Sequence, residues 1–230
     1  PGLTDAHCRR WIQFLAEVMA DDKEMTAYLQ RVVGYCLTAS IREQVYFFLL
    51  GVGANGKSIF LEILKELFGT YAMACRAETI MAKRGDAVPN DVARLAGPRL
   101  VTVSETADGQ RMNESLLKDL CGGDTITARF LYCESFDFRM LGKLMIRGNH
   151  KPEISGSDDG IWRRLHLVKF PRKFAPAERD PDLMDKLRQE LPGILAWAVR
   201  GCLQWQQEGL NPPTKVLAAV SEYRGEQDIL

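Results

Sequence analysis

The sequence predicts an α/β fold: a parallel sheet with a β-hairpin insertion and helical segments at both ends. Short apolar runs rich in β-formers recur at 45–50, 99–104, 141–147 and 165–170, the pattern of strands buried on both faces. Apolar residues at helical spacing occupy the first forty residues and the chain beyond Pro171. Between these, 125–140 alternates and carries Phe130, Tyr132, Phe136 and Phe138, which predicts a hairpin with its tip at 133–135. At 230 residues, one large domain with small appendages is expected.

The elements follow in order. Trp11, Ile12, Phe14, Leu15, Val18 and Met19 mark a first helix, with Thr4 or Asp5 placed to cap it. Leu29, Val32, Val33 and Cys36 mark a second over 23–37. The first strand ends at Gly51, and a helix from Lys57 carries Ile59, Phe60, Ile63, Leu64, Leu67 and Phe68 to a stop near Gly69. The stretch 76–98 reads as loop with one short helix. Asn113 is placed to cap a helix through Leu116, Leu117 and Leu120 that ends at Gly122-Gly123. At the hairpin tip, Phe130 and Leu131 are expected to pack into the core. Leu183, Leu187 and Leu191 give one late helical face, Ile194 to Trp205 another, and Pro212-Pro213 introduces a last helix to about Gln227. The divisions are 1–43 helical, 44–171 α/β core and 172–230 helical.

Thirty Lys and Arg balance thirty Asp and Glu, so the formal net charge is zero. That excludes a polybasic protein that coats phosphate with its whole surface, and leaves local basic patches open. The expected distribution is segregated. Arg163, Arg164, Lys169, Arg172 and Lys173 fall in 161–177 without an acid, Arg129, Arg139, Lys143, Arg147 and Lys151 lie near the hairpin and third strand, and many acids lie in the helical ends. Six cysteines show no Cys-x-x-Cys pair, which argues against zinc and for reduced thiols of an intracellular protein. No apolar run reaches the roughly 18 residues of a membrane span. The start, Pro1-Gly2-Leu3, lacks an initiator Met and suggests a piece of a longer chain.

The strongest motif is Gly51-Val52-Gly53-Ala54-Asn55-Gly56-Lys57-Ser58, which fits G-x-x-x-x-G-K-[ST] between a buried strand and an amphipathic helix. Glycines let the backbone curl so that N–H groups face phosphate oxygens, and the helix N-terminus adds partial positive charge. Lys57 is the candidate for the β- and γ-phosphates of ATP, and Ser58 for Mg²⁺. Glu105, at the end of the second strand, is the candidate for the metal shell and the attacking water, with Asp108 a weaker alternate. Asn149, at the end of the third strand, is placed to hold that water or the γ-phosphate. Arg163 and Arg164 supply guanidinium chemistry suited to phosphoryl charge.

These motifs, in this order, resemble the superfamily 3 helicases, and most closely the C-terminal helicase domain of phage and plasmid primase-helicases, relatives of the poxvirus primase-helicase. The resemblance rests on Asn55-Gly56-Lys57-Ser58, Arg99-Leu100-Val101 with Ser104-Glu105, Lys118 with Gly122-Gly123-Asp124 and Ala128-Arg129, Asn149-His150-Lys151-Pro152, and Asp159-Gly160-Ile161-Trp162-Arg163-Arg164. It implies an AAA+-like P-loop NTPase core that uses ATP and Mg²⁺, assembled as a homo-oligomeric ring, usually a hexamer, in the host cytoplasm. It implies single-stranded DNA as partner and a primase module on the same full-length chain. Asn149 becomes the sensor and Arg164, immediately before the final strand, the finger reaching a neighbouring subunit. The 118–139 segment becomes the DNA-binding region, with Lys118, Arg129 and Tyr132 as candidate contacts. Two rival readings are a phosphate-loop kinase for a small molecule or nucleotide, and a nucleotide-dependent ring scaffold without turnover.

Overall fold

The computed structural model describes residues 7–82, 90–104, 109–155 and 158–227. Five strands, β1 (Tyr46–Leu50), β2 (Ala72–Cys75), β3 (Leu100–Val103), β6 (Lys143–Gly148) and β7 (Leu165–Lys169), form one parallel sheet in the order β2-β3-β6-β1-β7. β1 shows why the runs are unbroken. Phe47 and Leu49 enter one core and Tyr46 and Phe48 the other, so alternate side chains are buried on opposite faces. The four expected strands are present. β2 was not expected: Ala-Met-Ala-Cys has no β-branched or aromatic residue, and it pairs on one side only, with β3.

The helices are α1 (Arg9–Val18), α2 (Lys23–Cys36), α3 (Lys57–Phe68), α4 (Asn90–Ala93), α5 (Glu114–Gly122), α6 (Asp159–Trp162), α7 (Leu183–Gln189), α8 (Leu191–Glu208) and α9 (Thr214–Gln227). Asn113 caps α5 as expected, its Oδ1 accepting from the Leu116 N–H at 3.1 Å. The cap of α1 is different. Thr4 and Asp5 lie outside the described residues, and Cys8 at the N-cap makes no side-chain cap. Glu190, between α7 and α8, supplies the missing acceptor: its carboxylate takes the Arg10 N–H at 3.0 Å and the Trp11 N–H at 2.9 Å.

The two helical ends do not stand apart. α1, α2, α7 and α8 share one core with α3 and one face of the sheet. A Cβ at Gly34 would run into the Cys202 nitrogen, and one at Gly201 into the Gln30 carbonyl, so α2 and α8 cross backbone to backbone. Arg31, 8% exposed, clamps the join by donating to the carbonyls of Leu210 (3.0 Å) and Asn211 (3.2 Å) and to Glu208 (3.3 Å). At the C-terminal end of α2, Arg99 donates to the Leu37 carbonyl at 2.8 Å and buried Lys143 to the Thr38 carbonyl. Burial lowers the Lys143 pKa to about 8.

The hairpin strands are β4 (Ile126–Arg129) and β5 (Ser135–Phe138), paired antiparallel with Arg129 opposite Ser135. The tip is therefore 130–134, earlier than the sequence suggested. Phe130 and Leu131 are also not core residues: they are 42% and 64% exposed, and Tyr132 is 97% exposed at φ 61°. The physical reason is local. Ile126 and Ala128 already fill the inward side of the hairpin, and Phe130 stacks on the Phe136 ring at 5.6 Å instead.

Candidate functional site

Gly51 to Ser58 turns from the carboxyl end of β1 into the first turn of α3. Gly51 has no room for a side chain, because a Cβ would meet the Asn55 amide and the Phe170 carbonyl. Gly56 takes φ 88° and caps α3, packed against Val18 and Phe14 of α1. Asn55 is 3% exposed and braces the loop from inside. Its Nδ2 donates to the Val52 carbonyl at 2.7 Å, and its Oδ1 accepts from the Lys57 N–H at 3.4 Å and the Lys57 ammonium at 3.2 Å. Asn55 thus shapes the loop, while Gly53 and Ala54 stay exposed along it.

Lys57 is 5% exposed and held by neutral acceptors. Its ammonium donates to the Gly51 carbonyl, to Asn55 Oδ1 and, at 3.2 Å, to Asn149 Oδ1. β6 runs beside β1 with Gly148 opposite Leu50, which carries Asn149 to the loop. The structure therefore brings the loop residues Asn55, Lys57 and Ser58 together with Asn149, which was read from a separate strand. It adds Arg147, whose Nη1 donates to the Ser58 hydroxyl at 2.9 Å. These side chains line a hollow of about 230 Å³. A magnesium ion fits it in kind: Ser58 offers one hard, exposed oxygen, and Mg²⁺ takes most other ligands from phosphate and water.

A second hollow, about 240 Å³, adjoins the first through Ala54, Gly56 and Ile59. Phe14 and Phe174 supply its apolar surface. Phe174 is fixed there by its N–H, which donates to the Ala54 carbonyl at 2.9 Å. Arg10 at the rim pairs with Glu17 at 3.3 Å. No local motif marks Phe14 or Phe174, which read as ordinary core positions. A larger hollow of about 610 Å³ between β7 and α9 is lined by no residue of the loop, and the charges around it, Lys169 with Glu222 and Lys215 with Asp22, are paired.

The remaining candidates lie elsewhere. Glu105 and Asp108 fall outside the described residues. The preceding Ser104 accepts the Ala77 N–H at 3.1 Å. Arg163 and Arg164 part company: Arg163 is exposed, whereas Arg164 is 9% exposed and donates to the Gly160 carbonyl at 2.6 Å. The finger preferred from sequence is thus turned inward in this chain, because β7 begins at Leu165 and seats its predecessor in the fold. Lys118 pairs with Asp158, which caps α6, so it joins α5 to α6 and is not grouped with Arg129 and Tyr132 on the hairpin.

A strand, a glycine-rich loop and a helix, with a lysine seated against a neighbouring strand, fall in the class of mixed α/β folds with a parallel central sheet and flanking helices. Within that class the chain belongs to the family of unknown function DUF5906, whose model matches residues 49–164. It is 29% identical over 94% of its length to a "Putative helicase" of Acanthamoeba polyphaga mimivirus, and 28% over 95% to a "Putative helicase" of Frog virus 3. A "Putative primase" of African swine fever virus is 25% identical over 71% of the chain. The chain spans about a quarter of the two helicase-named relatives, 24% of each. Among solved structures, the apo C-terminal region of NrS-1 superposes with a TM-score of 0.73 at 13% identity, over 94% of this chain and 51% of that one. These names agree with the resemblance read from the motifs, and the NrS-1 likeness carries the fold.

Proposed function

We propose that the chain is the ATP-hydrolysing motor of a replication primase-helicase, acting in a ring and moving along single-stranded DNA. The observation that carries this is the Lys57 to Asn149 contact across the carboxyl ends of β1 and β6, which supports reading loop and sensor as one phosphate site. ATP would lay its phosphates along Gly53 to Ser58, with Lys57 on the β- and γ-phosphates. Its base would enter the adjoining hollow against Phe14 and Phe174. Bound magnesium would be held by Ser58, with Glu105 near it, and would neutralise phosphate charge. Asn149 would orient the attacking water or the γ-phosphate without adding negative charge. On the hairpin, Tyr132 offers a ring for base stacking and Arg129 a phosphate contact. The helicase and primase names of the relatives support the same reading.

The test measures ATP hydrolysis and oligomeric mass with and without single-stranded DNA. Hydrolysis stimulated by DNA and lost in Lys57→Ala is expected. Transfer of phosphate to a small acceptor, or no turnover in any assembly, would sink the motor reading.

A further inference from the structure

Among the described residues, two cations line the phosphate hollow, and only Lys57 belongs to the motif. Arg147 is the second. Its guanidinium rests on the Ser58 hydroxyl, at the first turn of α3, where both residues line the hollow. Lys57 is tied to the Gly51 carbonyl and two amide oxygens, a geometry that fixes a point charge deep under the loop. Arg147 approaches from the other wall, on β6, two residues before Asn149. Ile146 pairs with Val103 of β3, so Arg147 stands level with the segment leading to Glu105. A guanidinium is a rigid fork that matches two oxygens of one terminal phosphate, which an ammonium does not.

We propose that Arg147 is the residue by which this site distinguishes a nucleoside triphosphate from a diphosphate. In the nucleotide-free site it holds the Ser58 hydroxyl. When a triphosphate enters, the guanidinium transfers to the terminal phosphate and frees Ser58 to face the metal. The proposal rests on the reading of the loop as a nucleotide site. It concerns binding, so it does not require turnover.

Equilibrium binding of fluorescently labelled ATP and ADP tests it, with Mg²⁺ and with EDTA, for the wild type, Arg147→Met and Arg147→Lys. Arg147→Met is expected to weaken ATP about tenfold or more, the scale of one charge-assisted contact, while ADP changes less than about threefold. The loss should persist in EDTA, where no metal mediates it. Arg147→Lys, which retains the charge, should recover part of the difference and serves if the Met variant does not fold. Equal weakening of ATP and ADP in the folded variants, or no change in either, overturns the proposal. Failure of the wild type to bind either nucleotide overturns both this proposal and the loop reading beneath it.

Discussion

A buried histidine in this chain is held by a neutral partner, and its protonation follows from that. His166 on β7 is 8% exposed, and its Nδ1 lies 2.5 Å from the Tyr28 hydroxyl of α2. Burial lowers its pKa to about 4, against an ordinary value near 6.5. Between those values the unfolded chain binds a proton that the folded chain refuses. Stability is therefore full above about pH 6.5 and falls as pH drops towards 4, by at most about 3 kcal/mol. Urea titrations from pH 7 to 4 should show that slope, and His166→Gln, which keeps a polar partner for Tyr28, should flatten it. A slope unchanged in the variant would assign the acid sensitivity to other groups. At this scale the sequence was legible where a motif fixes position, as for Lys57 and Ser58 at the start of α3. It named Arg147 only among the basic residues near the third strand and not as a site residue, because an arginine ending an apolar strand has the same local pattern whether it faces solvent or a ligand. It preferred Arg164 to Arg163 by its place before the last strand, but a position next to a strand start does not show which of two neighbours is buried, and here that is Arg164.

The helix crossing of α2 on α8 is the tightest relation between elements. Replacing Gly201 by Ala would gain about 1 kcal/mol of helix propensity. Against this, the new methyl group meets the Gln30 carbonyl, part of another helix's backbone, which has no rotamer to retreat into. Overpacking of this kind costs about 1–3 kcal/mol, and more where backbone must move, so packing prevails. Gly201→Ala should lose about 2 kcal/mol, a fall in Tm of about 4–8 °C for a chain this size, measured by calorimetry. A rise in Tm would show that the helices separate freely. Elements with local signals, such as α5 with its Asn113 cap, were readable. The cap of α1 by Glu190 was not, because the acceptor is 180 positions away in sequence. β2 was missed because an edge strand of small residues takes its structure from pairing with β3, not from its own propensity.

For the whole molecule, charge segregation along the sequence gives way to pairing in space. Lys169 and Lys151, read as members of two basic groups, meet Glu222 and Glu226 of α9, and Arg172 meets Glu178. Arg163 is left exposed beside a buried Arg164, and a ring would place a neighbouring phosphate site against some such surface. Mixing Lys57→Ala chains with arginine variants tests which one reaches across. Activity should reappear with Arg163→Ala if Arg163 is the finger, because mixed interfaces then pair an intact loop with an intact arginine. If only Arg164→Ala complements, the inward guanidinium swings out on assembly. If neither variant loses ATPase alone, no finger comes from this segment.

The contact between α2 and α8 also has a consequence in time. During synthesis α2 is complete long before α8 exists; at about 5–20 residues per second the interval is roughly eight to thirty seconds. Through that interval Leu29, Val32 and Val33, all buried in the finished protein, have no partner from the carboxyl end. A chain released early cannot close this layer, so the apolar face of α2 stays open until translation supplies α8 on the same side of the sheet.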